Sequence, residues 1–156
     1  MDDLFLKQAQ SLMEGESRIL PVLANLSAFL HEQLPKLNWA GFYLMDGGEL
    51  VLGPFQGRPA CVRIPLGKGV CGTAAHLDAP QLVRDVHAYP GHIACDAQSA
   101  SELVLPIHRK GRVVGVLDMD SPEIGRFGQA DLELMRNLIL LLERHPGWAH
   151  AEYRLV

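Results

Sequence analysis

The sequence predicts an α+β fold, with one antiparallel central sheet flanked by helices. Short alternating strands joined by hairpin turns fill the middle of the chain, and helix-spaced apolar residues occupy both ends. At 156 residues the chain has the length of one domain that buries a core. We expect residues 1–156 to form this single domain, with its core over roughly 17–143 and a loose tail over 144–156.

The first half of the chain combines one long helix with hairpin strands. Apolar residues at helical spacing predict a helix over 17–34, with Ser17 as its N-cap and Pro35 at its end. An aromatic-rich alternation predicts a strand over 39–45, and Asp46-Gly47-Gly48 predicts the turn to a return strand over 49–52. A further short strand is expected over 61–65.

The second half begins with a short helix over 70–77, which Asp78-Ala79-Pro80 ends. A strand over 81–86 and a long loop over 87–99 follow. Two further strands, over 102–108 and 112–119, are predicted to pair as a hairpin, and helical spacing returns over 129–142.

The composition favours a cytoplasmic globular protein and argues against several function classes. The formal net charge is -4 and Lys and Arg do not cluster, so no nucleic-acid partner is expected. The longest apolar run, 138–142, is too short to cross a membrane, and the first residues lack the pattern of a secretion signal. Three cysteines without an export signal indicate a reducing compartment, where thiols stay free or cycle.

Cys71 lies inside Gly67-Lys-Gly-Val-Cys-Gly72, which matches the spacing of a dinucleotide-binding fingerprint. The context argues against that site, because a helix ended by Pro80 is too short for the crossover between parallel strands. What remains is a thiol in the first turn of a helix, where the helix end lowers a thiol's pKa. Local physics therefore makes Cys71 a candidate nucleophile, and the alternative is a small buried hydrophobic residue.

Cys95 lies in the predicted 87–99 loop, with His92 before it and Asp96 directly after it. Functional groups concentrate on such loops, so Cys95 is a second candidate for thiol chemistry. His92 and Cys95 could instead join Cys61 and Cys71 in a zinc site. The spacing of these residues lacks the close ligand pairs of structural zinc sites, so neither a metal nor another cofactor is predicted.

Acidic and aromatic side chains share predicted strand faces. Asp118 and Asp120 are two residues apart, so they lie on one face, where they either bind a cation or form a solvated strand end. Trp39 and Tyr43 share a face of the first strand, with Gly41 between them expected to leave a gap above the sheet. That gap suits a small apolar or methyl-bearing ligand, and the alternative is an ordinary core.

A series of short motifs runs through these regions: Asn38-Trp-Ala-Gly-Phe-Tyr43, Gly53-Pro-Phe-Gln-Gly57, Cys61-Val-Arg-Ile-Pro65, Gly69-Val-Cys-Gly-Thr73, Asp85-Val-His87, Gly91-His-Ile-Ala-Cys-Asp96, Ser101-Glu102, Val104-Leu-Pro106, Gly115-Val-Leu-Asp118, Asp120-Ser121 and Gly125-Arg-Phe127. Together they closely resemble the family of free methionine-(R)-sulfoxide reductases, which are enzymes with a GAF fold. The resemblance covers roughly residues 17–143, and the spacing of the three cysteines makes it specific.

The resemblance implies a thiol cycle that reduces free methionine-R-sulfoxide, with thioredoxin as the reductant. It assigns the nucleophile to Cys95, which becomes a sulfenic acid, and the main resolving thiol to Cys61, whose attack on Cys95 gives an intramolecular disulfide. Cys71 matches a third cysteine with a secondary role. The local argument and the resemblance thus disagree over the nucleophile, and we follow the resemblance, because helix-end electrostatics does not show that substrate reaches Cys71.

The resemblance also implies roles for the other pocket residues. Glu102 matches the acid that protonates the sulfoxide oxygen, and an apolar pocket would raise its pKa. Asp118 and Asp120 match acidic residues that hold the substrate ammonium or assist at the oxygen. Trp39 and Tyr43 match the wall around the substrate methyl group. Backbone N–H groups near Ile93, Ala94 and Cys95 are expected to hold the substrate carboxylate.

Two other classes of function remain open at this point. A GAF sensor would bind a small metabolite and report through the helices over 17–34 and 129–142, which could also form a homodimer interface under either hypothesis. An inert scaffold with buried thiols would show no effect of Cys95→Ser on any activity.

Overall fold

Four α-helices and six β-strands make up the part of the chain that the computed structural model describes, residues 2–93, 95 and 97–150. The helices are α1 (Asp2–Met13), α2 (Ile19–Gln33), α3 (Gly69–Leu77) and α4 (Gln129–Glu143). The strands are β1 (Trp39–Asp46), β2 (Glu49–Gly57), β3 (Arg63–Pro65), β4 (Gln81–Val83), β5 (Ser101–Arg109) and β6 (Arg112–Ser121). Short 3-10 helices span Val86–Ala88 and Pro146–His150.

The six strands form one sheet in the order β3-β2-β1-β6-β5-β4, and every neighbouring pair is antiparallel. Hairpins join β1 to β2 and β5 to β6, and β1 and β6 pair at the centre of the sheet. The predicted α+β class with an antiparallel sheet is confirmed.

Strand alternation gives the sheet two different faces. On β1, Ala40, Phe42 and Leu44 face the larger core, which α1, α2 and α4 cover. The intervening Trp39 and Tyr43 face the opposite side, where they pack in a smaller cluster with residues of α3. The second face carries the three acidic residues of β5 and β6 described below, so the sheet separates the main core from the candidate site.

Several element boundaries differ from the predicted ones. The N-cap of α2 is Arg18, without a side-chain cap hydrogen bond, so the prediction of Ser17 was wrong. β3 begins at Arg63, which leaves Cys61 in the connection from β2. β4 ends at Val83, because the Asp85 carboxylate accepts a hydrogen bond from the His87 N–H and caps a 3-10 turn there.

The structure also differs from the prediction at the two ends of the chain. α1 was not predicted, although its apolar residues recur at helical spacing, and it buries Ala9 and Met13 in the main core. The expected loose tail is wrong over 145–149, since His145 and Trp148 are buried. The Trp148 indole Nε1 donates to the Leu142 carbonyl at 2.8 Å, an anchor that requires no sequence periodicity. Residues 151–156 lie outside the described residues.

None of the helices within the described ranges combines the length and the apolar character that crossing a membrane requires.

Candidate active site

Three carboxylates lie side by side on the second face of the sheet because of the strand register. Glu102 on β5 is opposite Asp120 on β6, and Asp120 is in turn opposite Trp39 on β1. Asp118 lies two residues before Asp120 and therefore points to the same face. The three acidic residues are only 6–8% exposed. The predicted shared face of Asp118 and Asp120 is thus observed, and it is buried rather than a solvated strand end.

Burial makes this cluster hold protons near neutral pH. Burial raises the pKa of Glu102 well above its usual range, and the neighbouring charges of Asp118 and Asp120 raise it further. Burial also raises the pKa of Asp118 to about 7, against the opposing effect of hydrogen bonds with Cys71 and Glu102. Glu102 holds its proton more firmly than Asp118, because the charges of both aspartates raise the pKa of Glu102, whereas hydrogen bonds lower the pKa of Asp118. A protonated carboxyl group is therefore present at the centre of the site at pH 7.

Cys71 lies in the first turn of α3 and is 5% exposed. Contrary to the prediction of an activated thiol, burial raises the Cys71 pKa, and the charges of Asp118, Glu102 and Asp120 raise it further. The end of a helix carries only about half a unit charge. Its stabilisation of a thiolate is therefore smaller than the destabilisation caused by the loss of solvation and by repulsion from the adjacent acids. Cys71 is thus a protonated thiol in the structure, and the argument from helix-end electrostatics was wrong.

The other two cysteines form a disulfide. Cys61 and Cys95 are joined with their Cα atoms 5.4 Å apart, across a sequence separation of 34 residues. The Tyr43 hydroxyl donates to the Cys61 carbonyl at 2.9 Å, which ties the Cys61 segment to β1. Two cysteines joined in this way are not metal ligands in this state, so the structure gives no support to the alternative of a zinc site built on His92 and the three cysteines.

Aromatic rings form one wall of the site. Trp39 stacks on Tyr43 with ring centroids 5.9 Å apart, and on Phe55 with centroids 5.2 Å apart. The expected gap above Gly41 is wrong, because a Cβ atom there would lie 2.3 Å from the Phe55 Cβ. Phe55 was not singled out from the sequence. Phe55 is close because it is the register partner of Gly41 on β2, and the alternation within a single strand does not show which residue lies opposite.

These groups enclose a cavity of about 40 Å³, which has room for a few water molecules. Of the predicted site residues, the ones that line it are Trp39, Tyr43, Cys71, Ile93, Cys95, Glu102, Asp118 and Asp120. Cys61 reaches the cavity through its bond to Cys95, whereas Ala94 lies outside the described residues. A set of lining residues with no distinctive spacing was not predicted from the sequence: Ala60, Ile64, Lys68, Gly69, Val70 and Ser99.

Comparisons with known proteins agree with this fold. A GAF-domain family model matches residues 23–143. The free methionine-R-sulfoxide reductase of Escherichia coli is 54% identical over 134 residues, which cover 86% of this chain and 81% of that protein.

Two solved structures, both in complex with substrate, are similar to this chain. The free methionine-R-sulfoxide reductase of Neisseria meningitidis is 40% identical with a TM-score of 0.91, over 96% of this chain and 93% of that one. The Staphylococcus aureus protein named fRMsr is 48% identical with a TM-score of 0.89, over 93% of this chain and 95% of that one.

The fold and the site define a GAF domain with a pocket that has a disulfide on one side and buried acidic residues beside it. The chain belongs to the GAF-domain family and, within it, to the free methionine-R-sulfoxide reductases. The family resemblance found in the sequence is therefore confirmed.

Proposed function

We propose that this protein reduces free methionine-R-sulfoxide to methionine, with Cys95 as the nucleophile and Cys61 as the resolving thiol. The observation that carries the proposal is the Cys61–Cys95 disulfide beside a pocket lined by three buried carboxylates. This arrangement supplies a thiol pair that can be oxidised and an acid that can donate a proton. It fits the oxidised end point of a thiol cycle.

In the first step, the Cys95 thiolate attacks the sulfoxide sulfur and the oxygen is transferred to Cys95. Methionine is released, and Cys95 becomes a sulfenic acid, so the substrate is reduced and the thiol is oxidised. The sulfoxide oxygen must be protonated for its bond to sulfur to break. Glu102 is the proposed donor, because its raised pKa keeps a proton on it at neutral pH.

The remaining pocket groups are proposed to select the free amino acid. The Trp39 and Tyr43 rings border the substrate methyl group, and Asp118 and Asp120 hold its ammonium. Backbone N–H groups of the 93–95 segment are proposed to bind the carboxylate. Because a peptide-bound methionine sulfoxide lacks both charges, we expect it to bind poorly.

Two further steps complete the proposed cycle. The Cys61 thiol attacks the sulfur of the Cys95 sulfenic acid, which forms the disulfide and releases water. A thioredoxin dithiol then reduces the disulfide by exchange and is itself oxidised. Cys71 lines the same pocket and is proposed as a secondary thiol in recycling. Such a cycle suits the reducing cytoplasm, where we place the protein.

The test is methionine release from free methionine-R-sulfoxide with a thioredoxin system, compared between wild type, Cys95→Ser and Cys61→Ser. We expect wild type to turn over and Cys95→Ser to be inactive. Cys61→Ser should release about one methionine per chain and then stop, since its sulfenic acid has lost the resolving thiol. Absence of turnover by wild type, with either thioredoxin or dithiothreitol as reductant, would overturn the proposed function.

A second measurement addresses the proton donor. Glu102→Gln removes the carboxyl proton at nearly constant volume, and we expect kcat to fall by roughly 100-fold or more. Glu133→Gln is the matched surface control, because Glu133 is an exposed residue of α4, on the other side of the sheet from the pocket. Equal rates for Glu102→Gln and wild type would remove Glu102 from the mechanism.

The proposed homodimer is a separate question. α2 and α4 bury one face each in the main core of their own chain, and Leu20 and Leu140 are exposed on them. Light scattering after size-exclusion chromatography would determine whether two chains associate, and a monomer mass across the accessible concentration range would reject the dimer.

A further inference from the structure

Cys71, Glu102 and Asp118 place one potential metal-ligand atom each close to the other two. The Cys71 sulfur and one carboxylate oxygen from each acid lie within 4.8 Å of one another, and all three residues are buried. They come from three different elements, α3, β5 and β6, so the packed fold and not a flexible loop holds them together. The proposed catalytic cycle has no required step for the Cys71 thiol in this position.

A second observation points to a missing positive partner. Asp118 is only 6% exposed, and its buried Oδ1 atom has no hydrogen-bond partner among the described residues. A buried carboxylate oxygen without a partner loses its hydration without compensation. A cation in the pocket would compensate this oxygen and would also remove the repulsion between the neighbouring acids.

The donor set identifies the class of cation. One thiolate and two carboxylates, with room for a water molecule as a fourth ligand, suit tetrahedral Zn²⁺ and its analogue Co²⁺. Mg²⁺ and Ca²⁺ prefer oxygen ligands only, and a sulfur donor disfavours them. Ligand atoms of a tetrahedral zinc site are about 3.5 Å apart, so the three side chains must each move inward by less than about 1 Å.

We propose that Cys71, Glu102 and Asp118 form a binding site for a thiophilic divalent cation inside the substrate pocket. The part of the proposal that concerns activity depends on the proposed function: cation and substrate exclude each other, because both require Asp118 and Glu102.

The disulfide form of the protein allows a clean binding test. Cys61 and Cys95 are then joined, and Cys71 is the one remaining thiol of the three cysteines. Titration of this form with Co²⁺ should produce a sulfur-to-cobalt charge-transfer band in the near ultraviolet, and added Zn²⁺ should remove it by displacement. Cys71→Ser should lose the band, and Asp118→Asn should bind more than about 100-fold more weakly, since losing a ligand costs more than losing an outer-shell partner.

His108→Ala is the matched control, because His108 with Asp78 and Glu143 is a second, surface cluster that could bind Co²⁺. This variant should keep the charge-transfer band, since its lost ligand is a nitrogen. Absence of the band in the wild-type disulfide form, or its persistence in Cys71→Ser, would overturn the site. Neither reading requires turnover, so the result is independent of the proposed function.

The exclusion of substrate is tested in a single turnover. Reduced protein freed of reductant should release methionine at once, and an equivalent of Zn²⁺ should suppress the release until EDTA is added. Zn²⁺ should slow reduced Cys71→Ser much less, relative to the metal-free rate of that variant. Equal suppression in both proteins would mean that zinc acts through Cys61 and Cys95, which would overturn this part of the proposal. Absence of turnover without zinc would instead count against the proposed function.

Discussion

Asp118→Asn should make the protein more stable at neutral pH while impairing its activity. Burial raises the pKa of Asp118 from 3.8 to about 7 in the folded protein. Between these two pH values the folded chain binds a proton that the unfolded chain has released. The free energy of unfolding therefore falls as pH rises through this window.

The size of this effect follows from the same two pKa values. A rise from 3.8 to about 7 corresponds to about 4 kcal/mol, at 1.36 kcal/mol for each factor of ten in proton affinity. Relaxation of the site reduces the penalty, so we expect about 2–4 kcal/mol to be lost between pH 4 and pH 8 through this group. Asparagine has no charge to desolvate, so Asp118→Asn should not show this fall in the free energy of unfolding between pH 4 and pH 8.

The assay is urea unfolding of the disulfide form at a series of pH values, for wild type and Asp118→Asn. The difference in unfolding free energy should grow in favour of the variant as pH rises from 4 to 8. Asp46→Asn is the control, because Asp46 is exposed at the β1–β2 turn, and it should follow the wild-type profile. Parallel profiles for wild type and Asp118→Asn would refute the reasoning, since they would show that burial of this carboxylate carries no penalty.

Three further predictions follow from the packing. In the native disulfide form at pH 8, iodoacetamide should alkylate Cys71 at least about 100-fold more slowly than in the unfolded chain, because the thiol is buried and its pKa is raised. Comparable alkylation rates, measured by mass spectrometry, would contradict this prediction. Trp148→Ala should lower the free energy of unfolding by about 3–5 kcal/mol, whereas Leu140→Ala, at a 52% exposed site, should change it little. An unchanged Tm for Trp148→Ala would show that the C-terminal segment does not pack on the core. Gly41→Ala should destabilise the fold by about 1–3 kcal/mol because its Cβ meets Phe55 at 2.3 Å, and wild-type stability would show that β1 and β2 separate readily there.

The elements of the fold could be predicted where a regular pattern records them. The alternation of Ala40, Phe42 and Leu44 with Trp39 and Tyr43 already separates the two faces of β1. α1 was missed although Phe5, Leu6, Ala9, Leu12 and Met13 recur at helical spacing and pack on the main core. The C-terminal 3-10 helix has no such pattern, since it depends on two isolated side chains, His145 and Trp148.

The site could be predicted as a set of residues but not as a set of protonation states. The motifs placed Cys61, Cys95 and the acids in one family pattern, and the structure brings them to one pocket. The pKa of Cys71 was predicted in the wrong direction, because a helix end is visible in the sequence, whereas burial and the three neighbouring carboxylates are not. The prediction of a gap above Gly41 was wrong for a related reason, since Phe55, on the neighbouring strand, fills that space.

The sequence by itself determined the fold class, the strand faces and the identity of the thiols and acids, because hydrophobic period and motif spacing are local properties of the chain. The family resemblance already implied the disulfide between Cys61 and Cys95, which the structure contains. Only the tertiary structure decided that Glu102 lies opposite Asp120 and that the buried thiol of Cys71 beside them is protonated. Register, desolvation and charge–charge interaction depend on groups distant in sequence. Their effects exist only once β1, β5, β6 and α3 are packed together.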